Sequence, residues 1–254
     1  MSGRLAVVGL GPGDARYLTP QAQSALAGAD ALYGYGPYLD RVPALAGQIR
    51  HPSDNRQEGA RAAAALAHAA AGASVALVSG GDPGVFAMAA AVCEELAAGP
   101  SAWRCLDVTI VPGVTAMLAV AARIGAPLGH DFCALSLSDN LKPWELVERR
   151  LDAAAGAGFV IALYNPISRA RPWQLGRAFE RLRGLLPPAT PVVFGRAVGR
   201  ADEAVTVTTL AAADASAADM ATLLIVGSRD THVIERPGLA PLVYTSRFAQ
   251  GAPA

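Results

Sequence analysis

The chain has 254 residues, 52% of them hydrophobic, with 21 basic and 21 acidic residues and a formal net charge of zero. That length and apolar content suffice for one large domain or two smaller ones. With no basic surplus, a nucleic-acid partner is not expected. Arginine supplies nearly all the positive charge, and Lys142 is the only lysine. The planar fork of arginine pairs with carboxylates in bidentate fashion, which suits a polycarboxylate ligand. Cys93, Cys105 and Cys133 are scattered and the four histidines lie far apart in sequence, so neither a disulfide framework nor a metal site is expected. No stretch of about 18 residues is continuously apolar, so no membrane span is expected. The first residues run from a short apolar stretch into a glycine turn, unlike a signal peptide. The expectation is a soluble, cytoplasmic protein.

Residues 5–10 read as a buried first strand ending in GLGPGD, Gly9 to Asp14. This is not a dinucleotide fingerprint, which needs GxGxxG with a helix opening directly on the loop. Here the helix signal comes later, at Thr19-Pro20, an N-cap followed by proline. Residues 29–34 read as a second strand leading into YGYGPYLD, a loop with aromatic faces. Its tyrosines either pack in the core or line a site for a large, flat ligand. HPSDNRQEGAR, residues 51–61, is strongly polar. Asp54 or Asn55 can cap the helix expected over 57–71. One cap is enough, so the surplus of polar residues hints at a functional loop. Gly72 stops that helix.

The strand at 74–78 feeds SGGDPGVF, residues 79–86. Glycines there let the main chain approach a ligand or adopt φ > 0, and proline sets the bend. Either this is a tight strand-to-helix turn capped by Asp82, or it is a backbone-lined hollow at the carboxyl end of a strand. A helix is expected over 85–98. A further strand, 107–111, ends in PGVTAM, where Thr115 either caps the following helix or offers its hydroxyl to a ligand. Residues 124–130, with three glycine or proline breaks, read as a linker between two halves.

The second half opens with a strand at 132–137 and the polar loop SLSDNLKPWE, with Asp139 as the expected cap of a helix to 155. An apolar strand at 159–164 stops at YNPISRAR, before a helix at 172–186. The strand at 191–197 ends in GRAVGRADE. Residues 205–209 alternate valine and threonine, which suggests a half-exposed antiparallel strand. ATLLIVGS, 221–228, is the last strong strand, and the tail from Arg229 reads as irregular. The pattern is an α/β fold of two α/β domains, 1–124 and 125–254, the second with a β-hairpin and with a ligand cleft between the two.

The ordered set GLGPGD, SGGDPGVF, PGVTAM, ALYNP, GRAVGRADE and ATLLIVGS resembles the tetrapyrrole methylases, the class III S-adenosylmethionine-dependent methyltransferases. Within that family YGYGPYLD, HPSDNRQEGAR and SLSDNLKPWE resemble the branch that methylates C17 of a precorrin and contracts its ring in cobalamin biosynthesis. The resemblance implies a homodimer that uses S-adenosylmethionine, releases S-adenosylhomocysteine and acts on a tetrapyrrole. It implies donor contacts from Pro12, Gly80, Gly81, Asp82, Val85, Thr115, Ala116, Asn165, Ala197, Thr222 and Leu223.

Methyl transfer from a sulfonium is an in-line displacement, so alignment suffices and no triad is needed. Tyr33, Tyr35 and Tyr38 are candidates for the macrocycle's face. Arg56, Arg169, Arg171, Arg196 and Arg200 are candidates for its carboxylates. Ring contraction needs a base, for which Asp82, Asp139 and Asp54 are the candidates in that order. The rival readings are another precorrin, cobalt-precorrin or uroporphyrinogen methylase, or a non-catalytic tetrapyrrole- or nucleotide-binding module.

Overall fold

The computed structural model of the chain describes residues 3–168 and 170–248. The backbone divides into two compact units, Met1–Thr115 and Ala116–Ala254. In the first, β1 (Arg4–Gly9), β2 (Ala31–Tyr35), β3 (Ile49–Ser53), β4 (Ser74–Ser79) and β5 (Asp107–Val111) alternate with helices. These are α1 (Pro20–Ala27), the short α2 (Gly36–Leu39), α3 (Glu58–Ala70) and α4 (Met88–Ala98). All five strands are parallel, in the order β3-β2-β4-β1-β5.

The apolar runs explain the middle of this sheet, since β4 is buried from Val75 to its end. Start and stop signals act as expected at α1, where Thr19 Oγ1 accepts from the Ala22 N–H at 3.1 Å. Gly72, at φ +100°, ends α3.

Three local expectations fail. The tyrosine stretch is not a loop: Tyr33 and Tyr35 belong to β2, and Gly36–Leu39 is a helical turn in which Pro37 fixes φ. The polar run contains an edge strand, β3, where Pro52 is tolerated because one side is unpaired. Neither Asp54 nor Asn55 caps α3; its N-cap is Gln57, whose side chain makes no capping bond to the helix. The segment is held instead by Arg61, whose Nε donates to Ser53 Oγ at 2.6 Å and whose Nη2 donates to the Asp54 carbonyl at 2.5 Å.

The second unit opens with α5 (Ala116–Ile124) and β6 (Gly125–Ala126). Next come β7 (Phe132–Ser136), α6 (Trp144–Gly156), β8 (Val160–Tyr164), α7 (Gln174–Arg183) and β9 (Pro191–Arg196). It closes with β10 (Ala204–Thr209), β11 (Thr222–Val226), β12 (Thr231–Arg236) and β13 (Leu239–Thr245). Its main sheet has the order β10-β9-β11-β8-β7. β7 and β8 are parallel, while β11 runs antiparallel to both β8 and β9. β10 is the expected antiparallel, half-exposed strand beside β9. Phe179, Leu137, Leu151, Leu163, Leu175 and Leu224 fill the core under α6 and α7.

Here too the structure departs from the sequence pattern. The tail is not irregular: β12 and β13 form a hairpin. Residues 125 and 126 are not a linker, because β6 pairs in parallel with β13. The division falls after Thr115 rather than after Ile124, since α5 packs into the second unit. A Cβ on Gly195 of β9 would lie 2.2 Å from Val120 Cγ2, so only glycine admits α5 this closely. Asp139 does not cap α6; the N-cap there is Pro143.

Candidate active site

β1 and β4 are neighbours, but the chain leaves them toward opposite faces of the sheet. After β1 it enters α1, whose Ala22 and Leu26 pack with Val8, Leu32 and Val78. After β4 it enters α4, whose Met88 and Val92 pack with Leu5, Val7 and Leu77. Strands that diverge in this way leave a crevice at their carboxyl ends, where open α/β sheets bind ligands.

The loops at that point are stitched backbone to backbone. Gly11 and Gly81 form a reciprocal bridge, N–H to O at 3.1 and 2.9 Å. A Cβ on Gly113 would lie 2.3 Å from the Gly81 carbonyl oxygen, and one on Gly9 would lie 2.7 Å from the Gly113 nitrogen. Three strand ends therefore meet at a separation only glycine permits. Gly80 lies flat against Tyr38, whose ring carbon would sit 2.7 Å from an added Cβ.

Asp82 braces this junction. Its Oδ1 accepts from the Gly84 N–H at 2.8 Å, and its Oδ2 accepts from the Gly113 N–H at 3.0 Å. The carboxylate thus ties the loop after β4 to the loop after β5. Arg41 completes the frame, with Nη2 within 2.9, 2.8 and 2.8 Å of the carbonyls of Leu10, Gly11 and Gly13. The sequence pattern held no signal for Arg41, which lies in an ordinary surface turn and finds its acceptors 28 to 31 residues earlier. Pro12, Val85 and Thr115 belong to the same three loops, and Thr115 is buried.

In the second unit the carboxyl ends of β7, β8 and β9 share one sheet edge with the start of β11, as the pairings require. Asn165 directly follows β8, Ala197 directly follows β9, and Thr222 and Leu223 open β11. Four residues expected at the donor site therefore line one edge. Thr222 Oγ1 donates to Asp219 Oδ1 at 2.8 Å and accepts from the Asp219 N–H at 2.9 Å. Asn165 Nδ2 donates to Ser136 Oγ at 2.9 Å, linking the end of β7 to the residue after β8. At the start of α5, beside Ala116, the Met117 N–H donates to the Tyr164 hydroxyl at 3.1 Å.

Backbone strain gathers in these motifs. Among the described residues the positive-φ positions other than glycine are Phe86 at 51°, Asn165 at 51° and Ala197 at 49°. Asparagine tolerates this region; phenylalanine and alanine do not without cost. Such strain persists where surrounding structure overrides it, and it concentrates at functional sites. Ala197→Gly is expected to raise stability by about 1 kcal/mol, the left-handed penalty less glycine's added chain entropy. A urea midpoint unchanged or lowered in that variant would show that no strain is stored there.

The expected substrate residues divide. Tyr33 is core: it is 8% exposed and its hydroxyl meets His68 Nδ1 at 3.1 Å. It stacks on His51 at 4.3 Å between centroids. Burial pushes the Tyr33 phenol up and, with the nearby His68, holds the His51 imidazolium below its usual range. Tyr35 and Tyr38 are half-buried and meet edge to face at 5.4 Å.

Arg56 and Arg200 are exposed. Arg171 pairs with Asp139 at 2.6 Å. Arg196 pairs with Asp219 at 2.7 Å and Asp202 at 3.1 Å, beside a hollow of about 220 Å³ lined also by Phe194 and Thr206. Arg169 lies outside the described residues. Of the three carboxylates considered as a base, Asp139 also accepts from Gln174 Nε2 at 2.7 Å. Asp54 is exposed. Among the described residues no group of three His, Cys, Asp or Glu side chains is placed to hold a metal, and no helix is long and apolar enough to cross a membrane.

Comparison with known proteins decides the family. Residues 4–214 match the model of the tetrapyrrole (corrin/porphyrin) methylases. The chain belongs to the tetrapyrrole methylase family. Within this family it is 64% identical over 252 residues to a precorrin-3B C(17)-methyltransferase of Sinorhizobium sp., covering 99% of each chain. It is 40% identical over 242 residues to a probable cobalt-factor III C(17)-methyltransferase of Salmonella typhimurium, covering 95% of this chain and 99% of that one. Among solved structures, the methyltransferase CobJ superposes with a TM-score of 0.92 at 47% identity, covering 96% of this chain and all of CobJ. The two-unit α/β architecture is thus that of a tetrapyrrole methylase.

Proposed function

We propose that this chain transfers a methyl group from S-adenosylmethionine to C17 of precorrin-3B and contracts the ring to precorrin-4, in cobalamin biosynthesis. The observation that carries the substrate is likeness at 64% identity along the whole chain to a protein of that specificity. The site geometry supports the chemistry. S-adenosylmethionine supplies an activated methyl group and needs alignment more than acid–base help. The residues present fit it: a glycine-lined strand-end crevice in the first unit, and strained strand ends at Asn165 and Ala197 in the second.

The donor contacts implied by the family resemblance are Pro12, Gly80, Gly81, Val85 and Thr115 in the first unit; in the second they are Ala116, Asn165, Ala197, Thr222 and Leu223. Asp82 acts through the backbone it holds. Tyr35, Tyr38, Arg56 and Arg200 are the substrate contacts, and Arg171 stays with Asp139. Tyr33, in the core, acts by supporting its neighbours. Arg196 reaches a carboxylate only by exchanging its Asp202 or Asp219 partner.

Contraction requires a base for the ring hydroxyl. Asp82 and Asp139 already accept hydrogen bonds from strong donors, so the proton acceptor is sought first at Asp54. The active form is a cytoplasmic homodimer that engages neither nucleic acid nor membrane.

Incubation with precorrin-3B and labelled donor, read by mass and absorbance, tests the assignment. The expected product carries one new methyl group and the contracted chromophore. Label passing to uroporphyrinogen III instead would sink it. The likeness to the cobalt-factor III enzyme favours one second reading, a cobalt-bearing substrate. Parallel assays with and without cobalt in the macrocycle separate the two.

A further inference from the structure

We propose that Lys142 anchors a substrate carboxylate, at a subsite built by residues 139–144 after β7 and residues 171–174 at the entry to α7. The proposal rests on the polycarboxylate macrocycle argued above and adds a residue outside the set implied by family resemblance. Four contacts join these two stretches. Arg171 Nε lies 2.6 Å from Asp139 Oδ1, and Gln174 Nε2 donates to the same oxygen at 2.7 Å. Arg171 Nη1 donates to Asn140 Oδ1. The rings of Trp144 and Trp173 meet edge to face at 4.8 Å.

The charges in this cluster do not balance. Asp139 is engaged by Arg171, and Glu148 of α6 is paired with Arg177 of α7 at 3.6 Å. Lys142 is half-buried, and among the described residues its ammonium makes no hydrogen bond or ion pair. Burial lowers its pKa, Arg150 of α6 lowers it further, and Asp139 opposes them. An unpartnered, partly desolvated ammonium is costly, and a bound carboxylate offsets that cost.

The same stretches present apolar surface. Leu141 is 94% exposed and Trp173 is 42% exposed. Leucine surface adjoining Lys142 in sequence, with indole surface in the facing stretch, matches a flat macrocycle with carboxylates on its rim.

A single lysine makes the test direct. Reductive methylation with carbon-13 formaldehyde labels Lys142 and the terminal amine, and the signal missing from Lys142→Arg assigns the side chain. The probe is uroporphyrin III, with its binding followed separately by its own absorbance. At saturation the Lys142 signal is expected to shift and to titrate at higher pH than in the free protein. Lys142→Gln is expected to weaken uroporphyrin binding about tenfold, and Lys142→Arg by less than about threefold, as for loss and retention of one charge-assisted bond. Affinity for S-adenosylhomocysteine should not change in either variant.

Uroporphyrin bound with the Lys142 signal unmoved overturns the proposal and leaves the methyltransferase reading intact. The same shift produced by inorganic phosphate at equal ionic strength also overturns it, as unspecific anion binding. Failure of uroporphyrin to bind at all overturns the tetrapyrrole reading and this proposal together.

Discussion

Gly113→Ala is expected to disable donor binding more completely than any side-chain deletion at the site. The new Cβ would lie 2.3 Å from the Gly81 carbonyl oxygen and 3.0 Å from the backbone of Gly9. Both neighbours are main chain, so no rotamer change relieves the clash. The loops after β1, β4 and β5 must separate, and with them the Gly11–Gly81 bridge and the Asp82–Gly113 hydrogen bond. Overpacking of this kind costs about 3 kcal/mol of stability. Affinity for S-adenosylhomocysteine should fall on the order of 100-fold, about 2.7 kcal/mol. Calorimetric titration and urea unfolding read the two effects. Gly176→Ala is the control: it lies inside α7 with nothing within 4 Å of the added carbon, and should be neutral or slightly stabilising. A folded Gly113→Ala protein that binds S-adenosylhomocysteine within about threefold of normal would remove the glycine junction from the site.

Asp82→Asn separates a brace from a base. The carboxylate accepts one amide on each oxygen, and asparagine offers only one acceptor. Its NH2 group would face either the Gly84 or the Gly113 N–H, donor against donor. Leaving one such group unsatisfied costs about 1–3 kcal/mol. As a brace, Asp82 holds the crevice for both parts of the reaction. Methyl transfer and ring contraction should then fall together, on the order of tenfold in kcat/KM, with the pH profile unmoved. Accumulation of a methylated but uncontracted product would instead make Asp82 the proton acceptor, and would reverse the order of candidates given above.

Much of the fold was legible from periodicity alone. β1, β4, β8 and β11 are apolar runs bounded by glycine, proline or polar turns, and their burial is what such runs demand. β10 was legible because valine and threonine alternate along an edge strand with one face open. β3, β12 and β13 were not, because their stability comes from pairing with a neighbour rather than from their own composition. The same holds for β6, two residues long and ordered by β13.

Caps failed for a related reason. Asp139 has the right residue type and place for a cap, but a guanidinium brought in by another loop offers a stronger partner than a helix amide. The glycine turns at Gly81 and Gly113 were legible as breaks in apolar runs, while Asn165 and Ala197, whose left-handed backbone no residue type announces, were reached only through the family resemblance. It was not legible at Arg41, whose three carbonyl acceptors stand far back in the chain.

The stretch 79–86 shows where the division lies. Sequence alone determined that a buried strand breaks there on glycines, an acid and a proline, and that similar breaks recur at 9–13 and 112–113. Those are local facts of backbone permissiveness and hydrophobic periodicity. Only tertiary structure decided what the breaks are for. The parallel order β4-β1-β5 brings three strand ends together, and their glycines let main chain meet main chain. Asp82 then serves two amides on different loops, a role no spacing rule predicts because its partner Gly113 arrives from another strand. Likewise the sequence determined that Lys142 is the only lysine, while tertiary contacts decided that Asp139, three residues before it, is already engaged by Arg171. Residue types are fixed along the chain, but the pairing of charges is settled in space.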